Sequence, residues 1–267
     1  MLDFQGGLKE KVMITDRKKF KKIFDLTNEV IQLPTGNIKG EDLREMEKGS
    51  TFKLNGREYL ILDCDLQDYI MKKLIRKTQI IYPKDAGYIL LKLDVFPGKI
   101  IGEAGTGSGA LTNIFSRAVG ENGKVYTFEK RDDFVKTISK NLAGARVFDN
   151  VEVINRSLED EGEDKDVEVD LEGVLFDSFF LDVREPWTVI DRVYRFLKPS
   201  GHLGIFVPTA NQIEMSLKAL EKEKFYHVET SEIMIRKYKD NPDRIRPEDT
   251  MIGHTGYLIF ARKLKPS

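Results

Sequence analysis

Apolar residues follow one rhythm up to about residue 63 and another beyond it. In the first stretch they come in short runs divided by turn signals. Lys11–Thr15, Ile23–Leu26 and Asn28–Leu33 read as strands, with Pro34-Thr35-Gly36-Asn37 as a turn. Phe52–Leu54, Asn55-Gly56 and Tyr59–Leu62 read as a hairpin, because Asn-Gly suits a two-residue turn between alternating strands. A small β-rich domain over residues 1–63 is predicted. From residue 64 to 267 strands and helices alternate. Helical spacing runs over Leu66–Arg76, from Pro83 to about Leu93, through Leu111, Ile114, Phe115 and Ala118, over Asp132–Gly144, from Pro186 through Trp187, Ile190, Val193, Tyr194 and Leu197, and over Asn211–Glu223. Strands are predicted at Lys99–Ala104, Lys124–Glu129, Val151–Arg156, Gly173–Asp182, His202–Pro208, Phe225–Ile235 and His254–Ala261. The Gly173–Asp182 run is almost wholly apolar, as a central parallel strand should be. This alternation predicts an α/β domain built on a mainly parallel sheet. Ser157–Glu172 is dominated by carboxylates and is predicted to be a solvated loop or short helix without a catalytic role.

The chemistry concentrates after the first of these α/β strands. Glu103-Ala104-Gly105-Thr106-Gly107-Ser108-Gly109-Ala110-Leu111-Thr112 is a strand end, a glycine turn and a helix start. Glycines at alternate positions allow positive φ and close approach of a ligand to backbone N–H groups at a helix N-terminus. A dinucleotide fingerprint reads G-x-G-x-x-G and a phosphate-binding loop ends in G-K-[ST]. The spacing here is G-x-G-x-G with Glu103 ahead and no lysine behind. It resembles motif I of the class I methyltransferases, whose donor S-adenosylmethionine carries no phosphate. Glu129 ends the next strand twenty residues after Gly109, where a carboxylate can accept both ribose hydroxyls of an adenosine. Asp182 ends the apolar strand at the carboxyl edge of the same sheet. Tyr82 sits at a junction just ahead of the glycine turn and reads as a stacking platform for a base, with core packing as the alternative.

Composition narrows the field further. Charged residues make up 33% of the 267, but the net charge is −1, so no overall basicity signals nucleic acid. A local basic run, Arg17-Lys18-Lys19 with Lys21 and Lys22, reads either as a phosphate contact or as a solvated hairpin tip. One cysteine and three histidines argue against a disulfide framework and against a metal site. No apolar run is long enough to span a membrane and no secretory leader opens the chain, which points to a cytoplasmic protein.

Several segments together resemble the tRNA adenine-N1 methyltransferases that modify the T-loop adenine. They are Arg76-Lys77-Thr78-Gln79-Ile80-Ile81-Tyr82-Pro83-Lys84-Asp85, the glycine turn, Glu129-Lys130-Arg131, Phe180-Leu181-Asp182 with Pro186-Trp187, and Arg246-Pro247 with Gly253-His254-Thr255-Gly256. The resemblance covers nearly the whole chain. It implies a Rossmann-like seven-stranded class I methyltransferase domain behind the small N-terminal β-rich domain, a homotetramer, S-adenosylmethionine as cofactor and tRNA as partner. The methyl would go to N1 of the adenine at tRNA position 58, with position 57 as a further target. Carried over, Gly105, Gly107, Ser108, Gly109, Ala110 and Leu111 would line the donor, with Gln79, Glu103 and Ser157 beside them and Glu129 on its ribose. Asp182 would touch both donor and target adenine, Tyr82 would take the flipped base, and His254 would contact tRNA nearby. Asp182 and Tyr82 are the catalytic candidates. Basic residues such as Lys72, Lys73, Arg76, Arg236, Lys237 and Arg244 would hold the tRNA backbone. Arg184 stands where the family usually has proline, Asn155-Arg156-Ser157 where it ends the third strand with an aspartate near the donor adenine, Ser157 replacing part of that contact, and Thr250 where it has arginine. Two other readings stay open: a class I methyltransferase acting on a different substrate, and a non-catalytic tRNA-binding paralogue.

Overall fold

In the computed structural model, which describes residues 8, 10–145, 149–159, 171 and 173–265, the chain divides into two compact units. One is Met1–Arg76 with Ser139–Phe148; the other is Lys77–Ile138 with Asp149–Ser267.

The first unit is built of short strands. β1 (Lys11–Thr15), β2 (Lys21–Asp25), β3 (Val30–Leu33) and β4 (Gly36–Lys39) come first, then helix α1 (Gly40–Glu45) and the hairpin β5 (Thr51–Leu54) and β6 (Arg57–Asp63). β3 buries alternate residues, while β1 and β2 bury consecutive ones. Four strands form an antiparallel sheet in the order β2-β1-β6-β5, and β3 pairs with β4. The hairpin turns at Asn55 (φ 46°) and Gly56 (φ 83°), the two positive φ angles that a two-residue turn demands. Val12, Ile14, Leu26, Leu43, Tyr59 and Ile61 form the core, and the Tyr59 hydroxyl bonds Thr35 Oγ1 at 3.0 Å. Arg17-Lys18-Lys19 of the basic run lie on the β1–β2 turn and Lys21 and Lys22 at the start of β2, all exposed. Asp16 beside it is buried against the Arg57 guanidinium, which holds its carboxyl well below the usual carboxylate range.

Contacts carry this unit past residue 63. Asp65 caps α2 (Leu66–Lys72) by accepting from Asp68 N at 2.6 Å. The Tyr69 hydroxyl donates to Asn141 O at 2.9 Å, and the Asn141 side chain bonds both backbone groups of Ile75. The helix ends at Lys72, short of the predicted Arg76, whose guanidinium instead folds back onto the carbonyls of Ile70 and Met71.

The second unit contains α3 (Pro83–Lys92), β7 (Ile100–Ala104), α4 (Ala110–Val119), β8 (Lys124–Phe128), the start of α5 (Asp132–Ala145), β9 (Val151–Ile154) and β10 (Phe176–Leu181). There follow a 3₁₀ turn at Pro186–Thr188, α6 (Ile190–Phe196), β11 (Leu197–Val207), α7 (Ala210–Lys222), β12 (Phe225–Ser231) and β13 (Tyr257–Lys263). Seven strands form one sheet in the order β12-β13-β11-β10-β7-β8-β9. All neighbours are parallel except β13, which runs antiparallel to β11 and β12. β10 is apolar on both faces. Phe179 packs with Phe128 and Val189 on one side, and Phe180 with Phe115, Ile89 and Leu93 on the other, each fully buried ring contributing roughly 1.5–3 kcal/mol.

Several strand ends differ from the pattern read in sequence: β9 stops at Ile154, β10 spans only Phe176–Leu181, and β12 stops at Ser231, short of the expected Ile235. β13 begins at Tyr257, three residues after His254, because its last pairing is with Val207 and Pro208 beyond has no N–H to extend the ladder. β11 begins at Leu197 and runs through Ser200, whose φ is 65°. The acidic stretch over 160–170 and 172 lies outside the described residues. Among the described residues no helix is long and apolar enough to cross a membrane.

Candidate active site

Strand order reverses between β7 and β10, and ligands in open α/β sheets bind at the carboxyl ends on either side of such a point. Here those ends are Ala104 and Leu181. Asp182 N donates to Ala104 O at 2.8 Å, and the next residue, Gly105, has φ 90°. A Cβ on Gly105 would fall 2.0 Å from the Asp182 carbonyl oxygen, so only glycine fits where the turn passes the Asp182 backbone. Gly109, φ 76°, caps α4 in a left-handed conformation and sends the chain into that helix.

The turn borders a cavity of about 420 Å³. Gln79, Tyr82, Glu103, Gly105, Gly107, Ser108, Ala110, Leu111, Asp182 and His254 all line it, so most of the sequence candidates are brought to one place. A second cavity of about 250 Å³ shares Gly105, Arg131 and Asp182 and adds Glu129 and Ser157. Gly109 lines neither. Trp187 is half-buried outside both walls, in the 3₁₀ turn rather than on a helix face.

Two carboxyls lie at the floor. Glu103 is 2% exposed and accepts on one oxygen from Thr112 Oγ1 at 2.6 Å and Thr127 Oγ1 at 2.7 Å. Burial pushes it up to about 7 against the pull of those two bonds. Asp182 meets the cavity yet is enclosed by protein on its other sides, and burial pushes it up to about 7 as well. Among the described residues no cationic side chain pairs with either carboxyl.

Glu129 is arranged differently. Arg131 grips it with Nε on Oε1 at 2.8 Å and Nη2 on Oε2 at 2.9 Å, and the Arg131 and Gly107 backbone N–H groups add bonds at 3.2 Å. Four donors fill the lone-pair sites of one carboxylate. The Arg131 guanidinium lies 3.5 Å from the Phe134 ring centre. The sequence reading took Arg131 only as part of a motif; its spacing from Glu129 was the available signal.

The wall is fully paired. Tyr82 N-caps α3 ahead of Pro83, and its hydroxyl reaches Gln79 Oε1 at a loose 3.5 Å. His254 Nδ1 bonds Glu232 Oε1 at 2.6 Å and Nε2 bonds Pro208 O at 2.9 Å. A carboxylate and a carbonyl both accept, which favours the doubly protonated ring, and the Glu232 side chain, then the Pro208 carbonyl, raises the His254 pKa. The His254 ring lies 4.9 Å from the Tyr257 ring, tilted at 53° to it. Arg184 is exposed at the rim of the smaller cavity, and its carbonyl accepts from Gln212 at 2.9 Å. Thr250 is exposed and lines neither cavity.

With this geometry in hand, comparison with known proteins is informative. The model of the tRNA methyltransferase complex GCD14 subunit family matches residues 69–249. The chain is similar to the tRNA (adenine(57)-N(1)/adenine(58)-N(1))-methyltransferase TrmI of Methanocaldococcus jannaschii, 32% identical over 241 residues that cover 83% of this chain and 84% of that protein. It is similar in structure to a SAM-dependent O-methyltransferase from Thermotoga maritima, at 34% identity and a TM-score of 0.85, with 97% of this chain and 95% of that one covered. It is also similar to the tRNA (m1A58) methyltransferase TrmI from Aquifex aeolicus, at 35% identity and a TM-score of 0.80, with 97% of this chain and 99% of that one covered.

Proposed function

The chain belongs to the S-adenosylmethionine-dependent tRNA (adenine-N1)-methyltransferase family, and from that premise we propose how its own residues carry the reaction. It is an enzyme that transfers a methyl group to N1 of a T-loop adenine in tRNA. We assign the target to position 58, with 57 as a neighbouring second site.

S-adenosylmethionine, when bound, supplies an electrophilic methyl on a sulfonium. The cavity chemistry fits such a ligand. Buried Glu103 and half-buried Asp182 lack a positive partner among the described residues, and the donor carries both an ammonium and a sulfonium. The glycine turn gives it backbone to lie against, and Glu129 takes the ribose hydroxyls in place of its Arg131 bonds. Gln79, Ser108, Ala110, Leu111 and Ser157 complete that side.

N1 lies on the pairing edge of adenine, so the base must leave its stack to react. Tyr82 receives the face of the flipped base, and His254 offers its cationic face to the RNA. Asp182 accepts a hydrogen bond from the exocyclic amine, which aims the N1 lone pair at the methyl carbon. The bound donor would supply the methyl and keep the electron pair of the broken C–S bond, so Tyr82 and Asp182 have only to hold N1 against it. The positive charge passes to the adenine ring beside Asp182. An anion already positioned there stabilises the transition state more than the ground state. No proton has to leave, and positioning supplies much of the acceleration.

The observation that carries this reading is one cavity that gathers the glycine turn, the unpaired Asp182 and the aromatic Tyr82. We further propose a cytoplasmic homotetramer. An exposed apolar series in the segment before β13 (Met234, Ile235, Tyr238, Ile245, Met251 and Ile252) supports self-association. Arg236, Lys237 and Arg244 in the same segment are exposed and suit a phosphate backbone. Purified protein incubated with labelled S-adenosylmethionine and an unmodified tRNA transcript, followed by nuclease digestion and mass spectrometry, tests the reading. A methyl on N1 of adenine 58 is expected. Methyl on another atom, or none from a preparation that binds the donor, would contradict it.

A further inference from the structure

Lys84 and Asp85 open α3 directly after Tyr82 and Pro83, and both charged side chains are buried, at 11% and 1% exposure. Lys84 Nζ donates to Asp85 Oδ1 at 2.8 Å, to Ile233 O at 2.7 Å and to Thr255 Oγ1 at 2.7 Å. An ammonium has three N–H groups, so its donors are used up. The Thr255 hydroxyl, accepting from Lys84, donates to Asp85 Oδ2 at 3.2 Å and closes a ring. The ring joins three stretches distant in sequence: the start of α3, the segment after β12 and the segment before β13.

Such a ring is a poor device for stability alone. Taking two charges out of water costs free energy that their attraction only about returns, and apolar side chains of similar size often serve as well. Apolar company is at hand, since Ile81, Ala86, Ile89 and Ile233 belong to one hydrophobic cluster. The ion pair adds direction. Each partner belongs to the cavity wall or adjoins it: Lys84 follows Tyr82 by two positions, Thr255 lines the wall beside His254, and Ile233 follows Glu232, which holds the His254 ring. The donor side, with Glu103, Glu129 and the glycine turn, shares no bond with the ring among the described residues.

We propose that Lys84, Asp85 and Thr255 are positioning residues for base capture: their ring fixes the spacing between Tyr82 and His254 that admits the flipped adenine. The inference rests on the function proposed above. The test uses the full chain and three variants, Thr255→Val, Thr255→Ser and the double variant Lys84→Met with Asp85→Leu. Donor binding by calorimetry, thermal unfolding, and turnover at varied tRNA concentration are measured on each. Thr255→Val removes both hydroxyl bonds at constant shape. It should lower kcat/KM for tRNA by about ten- to a hundredfold, the scale of a misplaced reactant, with donor affinity unchanged. Thr255→Ser should recover most of the loss. The double variant should keep its unfolding temperature yet lose turnover.

Wild-type turnover by Thr255→Val, or by the double variant, would overturn the proposal, as would a loss of donor affinity in step with turnover in Thr255→Val. A wild-type chain that binds the donor and leaves tRNA unmethylated would overturn the functional reading, and the role of the ring with it.

Discussion

The floor and the wall of the cavity carry the same kinds of charge and treat them in opposite ways. On the floor, buried Glu103 and half-buried Asp182 have no cation, and desolvation pushes both up to about 7. On and just behind the wall, Lys84 is matched with Asp85 and His254 with Glu232 at 2.6–2.8 Å. A fold that can pair buried charges on the wall has left two unpaired on the floor. The difference assigns the work: unpaired carboxyls wait for positive charge brought by the ligands, while paired ones hold geometry.

The largest expected effect comes from Gly105→Ala. It would force a side chain onto the Asp182 carbonyl and cost about 1–3 kcal/mol for the left-handed backbone alone. Calorimetry should find donor binding lost; a variant with intact affinity would detach the turn from the floor. Asp182→Asn should come next, lowering kcat about 100-fold or more, as loss of a preorganised electrostatic group does. Retained wild-type rate at saturating tRNA would remove the role given to Asp182. The same variant makes a stability prediction with a definite sign. A carboxyl whose folded pKa is raised above its unfolded value contributes stability fully present below the unfolded pKa and lost as pH rises through about 7. Asp182→Asn should therefore gain stability relative to wild type as pH rises from about 4 to about 7, read as a growing difference in unfolding temperature that levels off above 7.

On the wall, Tyr82→Ala should raise KM for tRNA and lower turnover about tenfold, on the 1–3 kcal/mol scale of base–aromatic stacking. Unchanged kinetics would make Tyr82 a packing residue. Smallest of all, Arg131→Met should alter donor affinity by less than Gly105→Ala does, because Arg131 and the ribose would use the same Glu129 oxygens. A complete loss would show Arg131 holding the donor directly.

Much of this was legible in the sequence where local chemistry decides. Asn55-Gly56 forced its hairpin, the apolar Phe176–Leu181 run became the central parallel strand, and the glycine spacing separated this turn from phosphate-binding motifs. The illegible parts depend on distant partners. Lys84 and Asp85 look like helix-surface charges until Thr255 and Ile233 arrive from more than a hundred positions away. His254 reads as a strand residue until Pro208 ends the ladder beside it. Glu129 reads as an open carboxylate, whereas Arg131 fills it through a bond the sequence spacing permits but does not demand.

The most direct test of the contrast is proton release on donor binding. Calorimetric titration of the wild-type chain with S-adenosylmethionine, at pH 6 to 8 in buffers of differing ionisation heat, measures it. Carboxyls near 7 in the free protein should ionise when a cation arrives beside them. The account predicts that protons are released near pH 7 and that affinity rises as pH passes through about 7, then levels off. Binding with no proton release and an affinity flat from pH 6 to 8 would contradict it, and with it the claim that the floor is built for positive charge.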